Sequence, residues 1–322
     1  MSEVVEDFGT GFLRTTIVRC DEGGYRWIRR PGPGHGGPLR EPDPAVLAAV
    51  RPVAAGPVSL TFGEPVDGGG MAYRTTQARS LAGMFLRHGR NPGEPDLERI
   101  AADTLVETAA ALARLHAVPL PRAGMPSPEG PRRLLSWLRG GDGDAGPAQF
   151  RRHAAEILGR DRMALAGAWC EPSREGRRVL LHGAPSAGIL LPLIAHRDGG
   201  LLTGEDLGAG PPESDAGWLI GELVEFRELA RSRQARQGSR GGVGTAGFDA
   251  LIRCVLDGYG GVLDAHAVGR QAAVRFLTHA HDFATYVGWH EMLLETLRLV
   301  AGVIDAADDG RLLPSPAGVS RL

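Results

Sequence analysis

Residues 179–190 read Val-Leu-Leu-His-Gly-Ala-Pro-Ser-Ala-Gly-Ile-Leu. Three apolar residues stop at a His-Gly pair, and apolar sequence resumes only after a loop holding a proline and small residues. Such a block fits a short interior strand that ends in a tight loop. A second apolar stretch, Leu201-Leu202-Thr203, stops at Gly204-Glu205-Asp206-Leu207, where a strand-end carboxylate can bind a ligand or cap a turn. Pro212-Glu213-Ser214-Asp215 then leads into Ala216-Gly217-Trp218-Leu219-Ile220, an acid at the start of an apolar helix. One loop of this kind is weak information. Three elements in fixed order constrain the fold far more.

That order resembles the aminoglycoside phosphotransferase superfamily, whose catalytic loop is written apolar-His-Gly-Asp, four residues, then Asn. His182, Gly183 and Gly188 fit the pattern, but Ala184 stands at the base Asp and Ile189 at the magnesium-binding Asn. The stretch from Leu201 to Leu207 resembles the family's next strand, which ends in a metal-binding Asp. The stretch from Pro212 to Ile220 resembles the turn and Asp-capped helix after it. Leu112-Ala113-Arg114-Leu115-His116 resembles the Leu-x-x-Leu-His that closes a core helix. The resemblance implies an α+β, bilobal, protein-kinase-like fold. Residues 1–78 would form a small β-rich lobe of nucleotide-binding type, and residues 79–322 a larger helical lobe with a degenerate catalytic loop.

Composition narrows the chemistry. The chain has 322 residues, enough for two lobes, and 43% hydrophobic with 23% charged residues fits a soluble globular protein. All 36 basic residues are arginine, so no phosphate-binding lysine exists and any cationic contact with a nucleotide must be a guanidinium. The net charge of −2 gives no reason to expect nucleic acid or an anionic membrane as partner. No apolar run approaches the about eighteen residues of a membrane span, and Glu3, Glu6 and Asp7 do not form a signal pattern. Cys20, Cys170 and Cys254 are scattered, as expected in a reducing cytoplasm.

Strands are expected over 12–19, 25–30, 58–62 and 70–75, the first two joined by the turn Cys20-Asp21-Glu22-Gly23-Gly24. Asp43-Pro44 opens a short helix through Val50. The hinge falls near residues 73–80. Helices are expected over 97–118, with Leu97, Ile100, Leu105, Leu112 and Leu115 on one face, then around 134–138 and over 148–168. Further helices are expected from 215 to about 230 and over 246–265, 268–285 and 288–306. Arg227, Arg231, Arg233, Arg236 and Arg240 sit beside Ser/Gln/Gly sequence. Unless solvated or paired they repel one another, and they read as a mobile basic loop or as a docking surface for an acidic leader peptide or partner subunit.

Several residues are candidates for the site. Gly9 and Gly11, before the first expected strand, suit a turn whose amides approach phosphates, or an ordinary turn. Trp27-Ile28-Arg29-Arg30-Pro31 resembles a third-strand signature in which the first Arg replaces the phosphate-pairing lysine; this implies Arg29 as the α/β-phosphate contact. Its acidic partner would be Glu41, although Pro42 and Pro44 place Glu41 before the helix. The resemblance implies Asp206 as the magnesium ligand, and oxygen donors suit magnesium; Glu205 is a second ligand or a solvent-facing neighbour. The resemblance gives His182 and Asp215 structural roles around the loop. Ser186 is a loop hydroxyl able to hold a water or a phosphate oxygen. His196-Arg197-Asp198 spells a protein-kinase triplet but falls in a Gly-bounded turn. His279, His281, Asp282 and His290 have no diagnostic zinc spacing.

The wording His-Gly-Ala-Pro-Ser-x-Gly followed by Leu-Leu-Thr-Gly-Glu-Asp-Leu resembles the divergent phosphotransferase-like proteins of class V lanthipeptide and thioamitide pathways. This implies a cytoplasmic protein that uses ATP and magnesium on Ser or Thr of a precursor peptide, with a separate lyase subunit completing dehydration. A catalytically inactive subunit that binds the precursor peptide or stabilises the lyase is the alternative. A small-molecule antibiotic kinase is disfavoured by Ala184 and Ile189.

Overall fold

The computed structural model describes residues 3–88, 96–122, 124–141, 145–172, 176–194, 198–237 and 243–315. It begins with an antiparallel meander of β1 (Glu3–Gly9), β2 (Leu13–Arg19) and β3 (Tyr25–Pro31). Burial in β2 and β3 follows the strand period of two: Thr15, Ile17 and Trp27 turn inward between more exposed neighbours. The β2–β3 turn needs left-handed backbone at Gly23 and Gly24, whose φ angles are +92° and +77°. α1 (Pro44–Val50) follows, capped by Asp43, whose carboxylate accepts the Ala45 N–H at 2.8 Å. Next come β4 (Val58–Phe62), β5 (Glu64–Val66) and β6 (Gly70–Thr75). β6 closes a five-stranded sheet of order β1-β2-β3-β6-β5.

After the linker 76–80 the chain is mostly helical: α2 (Leu81–His88), α3 (Leu97–His116), α4 (Glu129–Leu138) and α5 (Ala145–Cys170), which is kinked at Gly159. Four short strands interrupt the helices: β7 (Val179–Leu181), β8 (Leu190–Leu191), β9 (Gly199–Thr203) and β10 (Gly208–Gly210). α6 (Glu213–Gln237), α7 (Thr245–Gly258), α8 (Ala265–Tyr286) and α9 (Met292–Asp308) complete the lobe. α6 and α8 touch through backbone at Gly217 and Gly221, where an added Cβ would lie 2.7 Å from the carbonyls of Val268 and Ala272.

β4 leaves the sheet of its own lobe and pairs in parallel with β9, from Val58 opposite Gly199 to Phe62 opposite Thr203. β8 takes the other edge of β9, and β7 pairs with β10. Ile17, Trp27, Leu39, Met71 and Tyr73 from the first lobe share a small core with Leu191 and Leu202. The strand that leads to Glu205 and Asp206 is therefore fixed to both lobes.

β1 has no sequence signal because it lies exposed along its length at the sheet edge, so no apolar alternation marks it. α6 extends beyond residue 230 and draws Arg227, Arg231, Arg233 and Arg236 into a helix; Arg240 lies outside the described residues.

Candidate active site

The loop after β7 is held by side chains of α6. Asp215, only 1% exposed, accepts the His182 N–H at 2.7 Å and the Gly183 N–H at 2.9 Å. His116, at the end of α3, places Nε2 2.9 Å from the same carboxylate. Seven residues along α6, two turns and thus the same face, Glu222 accepts the Ala187 N–H at 2.6 Å. Burial pushes the Glu222 carboxyl above its usual range, against the pull of Arg275. The His182 ring sits 3.0 Å from the Leu202 carbonyl and ties the loop to β9. Burial holds its pKa down, which suits a neutral ring in a structural role.

Gly183 brings the loop against Asp206. Its φ is +93°, and an added Cβ would fall 1.9 Å from the Asp206 carbonyl oxygen. β9 ends at Thr203, whose hydroxyl is spent on the Leu201 carbonyl, so the acids lie in the bend beyond the strand. Arg29 Nη1 meets Glu205 Oε2 at 2.6 Å, and the Tyr73 hydroxyl donates to Glu205 Oε1 at 2.7 Å. The Asp206 carboxyl is half-buried. Its pKa is pushed up to about 6, by burial first and then by repulsion from Glu205, while Arg133 and Arg29 pull it down. Arg29 thus lies near enough to Asp206 and to His182 for its charge to act on both.

The glycine turn closes onto the second lobe. Gly9 pairs within the β1–β2 hairpin, and the Gly11 N–H donates to the Tyr286 carbonyl at 2.8 Å. Gly34 N–H donates to the Gly11 carbonyl at 2.8 Å, and the Phe12 ring lies 4.6 Å from His35 and 4.8 Å from Tyr286. The amide of Gly11, expected to face phosphate, is committed to Tyr286 here.

Three other assignments change. Glu41 is exposed ahead of α1, and the acid that meets Arg29 is Glu205, because Pro42 and Pro44 keep Glu41 out of a helix that contains no acid. Glu205, expected as a second metal ligand, is engaged by Arg29 and Tyr73. Three of the four arginines of α6 are paired: Arg227 with Glu228 and Asp249, Arg231 with Glu228, and Arg236 with Glu295. Ser186 stays in the loop, its carbonyl accepting the Ile189 N–H at 3.1 Å, while Ile189 packs on the core. His279 pairs with Glu225 and His281 with Asp282. His196 and Arg197 lie outside the described residues.

Among the described residues no group of three or more His, Cys, Asp or Glu is arranged to hold a metal. Asp206 is a carboxylate whose charge is opposed by burial and by Glu205, so a cation there would be welcome. One such ligand would fit magnesium held mainly by phosphate and water. Sequence reasoning missed Tyr73, Glu222 and Arg133. The seven-residue step from Asp215 to Glu222 was the one available signal.

No family model matches the chain, and no curated protein matches it in sequence. Solved structures do. Amicoumacin kinase hAmiN, in complex with AMP-PNP, Ca2+ and Ami, aligns with a TM-score of 0.54 at 10% identity, over 97% of this chain and 90% of that one. Plasmodium vivax ethanolamine kinase aligns with a TM-score of 0.53 at 12% identity, over 96% and 81%. LicA in complex with AMP aligns with a TM-score of 0.52 at 10% identity, over 95% and 93%. Identities this low carry fold and not substrate. No helix of the described residues is long and apolar enough to cross a membrane. The chain has a bilobal, protein-kinase-like fold, with a small β-sheet lobe and a larger helical one.

Proposed function

We propose that this chain is an ATP- and magnesium-dependent phosphotransferase that modifies Ser or Thr of a ribosomally made precursor peptide, ahead of elimination by a partner lyase. One observation carries the phosphotransferase half. Arg29 of the first lobe and Asp206 of the second stand in one cleft beside a loop whose backbone is anchored at both ends, by Asp215 and Glu222. In this reading Arg29 leaves Glu205 for the α/β-phosphates and Asp206 holds the magnesium, which neutralises phosphate charge when bound. Ala184 cannot take a proton. Phosphoryl transfer has a loose transition state, and a positioned base is worth roughly 10²–10⁴-fold, so slow turnover is compatible with its loss. The peptide half rests on the resemblance carried by His182 to Gly188 and Leu201 to Leu207. Two of the structural matches named above are kinases, one of ethanolamine and one of amicoumacin. Ala184 and Ile189 argue against simple transfer of that chemistry to this chain.

The test is mass spectrometry of a candidate Ser/Thr-rich peptide incubated with ATP, magnesium, this protein and its lyase. A phosphorylated peptide without lyase, and a dehydrated one with it, is the expected result. A peptide of unchanged mass in both would overturn the transferase reading.

One observation favours a second reading, a non-catalytic subunit that presents the peptide or stabilises the lyase. Glu205 is already bound by Arg29 and Tyr73, and the base and Asn positions are Ala184 and Ile189. Thermal stabilisation by ATP with magnesium separates the two: the transferase gains it, and the nucleotide-free subunit does not.

A further inference from the structure

We infer that the Arg133 guanidinium is a built-in cation filling an aromatic and acidic cage on the Asp206 side of the cleft, and that it makes this wall refuse cationic acceptors. The exclusion of cations stands whether or not the site transfers a phosphoryl group; that the excluded cation is an acceptor rests on the proposed function.

α4, which carries Arg133, is fixed from two directions. The loop before it accepts the Ala209 N–H at the Pro126 carbonyl, 2.8 Å away, next to β10. Gly130 lies so close to the Trp218 indole that an added Cβ would fall 2.2 Å from the ring. From this base Arg133 reaches into a compact set of partners. Nη2 donates to Asp282 Oδ2 at 2.8 Å, and Nη1 lies 3.8 Å from Glu129 Oε1. The guanidinium carbon stands 4.5 Å from the centre of the Phe12 ring, which packs on Tyr286 at 4.8 Å. Asp282 is also held by His281 at 3.0 Å. Burial would raise its pKa, but the His281 hydrogen bond and the Arg133 charge outweigh burial and keep it low. Nε of Arg133 is buried without a hydrogen-bond partner, so this guanidinium is placed for charge and ring contact more than for full hydrogen bonding.

An aromatic face flanked by two carboxylates is the chemistry that recognises an alkylammonium or guanidinium group. Here that group belongs to the chain. Tethered to α4, it has an effective concentration far above that of any free cation, so a cationic acceptor competes poorly for the same faces. The cage spans both lobes through Phe12, so the internal cation also helps keep the glycine turn on α8.

Arg133→Ala should vacate the cage. Thermal unfolding of parent, Arg133→Ala and Arg133→Lys would be followed with methylguanidinium or tetramethylammonium at low millimolar concentration, against sodium at equal ionic strength. The Ala variant is expected to melt below the parent and to recover saturably with either organic cation, while the parent and the Lys variant respond only as they do to sodium. Adding Phe12→Leu to Arg133→Ala should abolish the recovery. If Arg133→Ala does not fold, Arg133→Gln is used, with tetramethylammonium binding measured by calorimetry. The inference is overturned if neither neutral variant binds the organic cations better than sodium. It is equally overturned if the parent binds them as well as the variants do.

Discussion

Arg29 Nη1 and Glu205 Oε2 are 176 residues apart in sequence and 2.6 Å apart in the cleft. Their side chains are 14% and 12% exposed, and the Tyr73 hydroxyl takes the second Glu205 oxygen. In an all-arginine protein this planar cation has to serve where a lysine could have swung away easily. The pair therefore couples the lobes in the resting protein.

Removing one partner of so buried a pair leaves an uncompensated charge, at a cost of about 3 kcal/mol. Arg29→Ala should lose about that much stability in urea unfolding, and Tyr73→Phe about 1 kcal/mol. Replacing Arg29 and Glu205 together by apolar residues should cost less than Arg29→Ala alone. A double variant as unstable as the sum of the singles would mean that the two residues do not interact.

Asp206→Asn should separate activity from stability. The Asp206 pKa is raised to about 6, so above that pH the folded protein carries a carboxylate it would rather hold protonated. Replacing it with a neutral amide should leave the melting temperature unchanged or higher at neutral pH, while ATP-dependent peptide phosphorylation disappears. Retained phosphorylation would refute the metal role.

Asp215→Asn should do the reverse. The carboxylate accepts two backbone amides and the His116 ring, and an amide group can accept with only one of its two ends. At least one buried donor then loses its partner, at a cost of about 2 kcal/mol. Amide exchange at His182 and Gly183 should accelerate far more than exchange in α9. Equal protection in both places would show that Asp215 does not hold the loop.

The parts of the fold that alternation or capping specifies were legible in the sequence. Trp27 and Ile17 turn inward with the strand period, and Asp43-Pro44 caps α1. The anchoring of the loop by Asp215 was legible through the family resemblance, since a helix-start acid alone signals only a cap. The partner of Arg29 was not. Glu205 is chosen by the parallel pairing of β4 with β9, a contact between strands far apart in the chain that no local pattern encodes. The arginines of α6 misled for a related reason. Glu228 pairs with Arg227 and Arg231 within α6, but Asp249 and Glu295 lie on α7 and α9, so part of the compensation comes only when the helices pack.

His279 Nδ1 lies 2.8 and 2.7 Å from the two Glu225 oxygens. The Glu225 charge raises the His279 pKa, against burial and the nearby Arg275, with a smaller favourable contribution from Glu222. Burial alone would raise the Glu225 pKa, but His279 and then Arg275 hold it below the usual range. A raised histidine contributes stability that is complete below its ordinary value of about 6.5 and lost as pH climbs through the raised folded value. A lowered glutamate contributes stability present above its ordinary value of about 4.3 and lost as pH falls through the lowered one. The pair should therefore stabilise most between those limits and fade as pH climbs through the raised histidine value. His279 is 48% exposed, so solvent screens the interaction and the effect should shrink with added salt. The measurement is the difference in melting temperature between the parent and His279→Gln across pH. It should be largest in mildly acidic buffer, diminish as the imidazole loses its proton, and flatten in high salt. A difference that stays constant from acid to alkaline pH would mean that His279 contributes by packing alone and carries no linked proton.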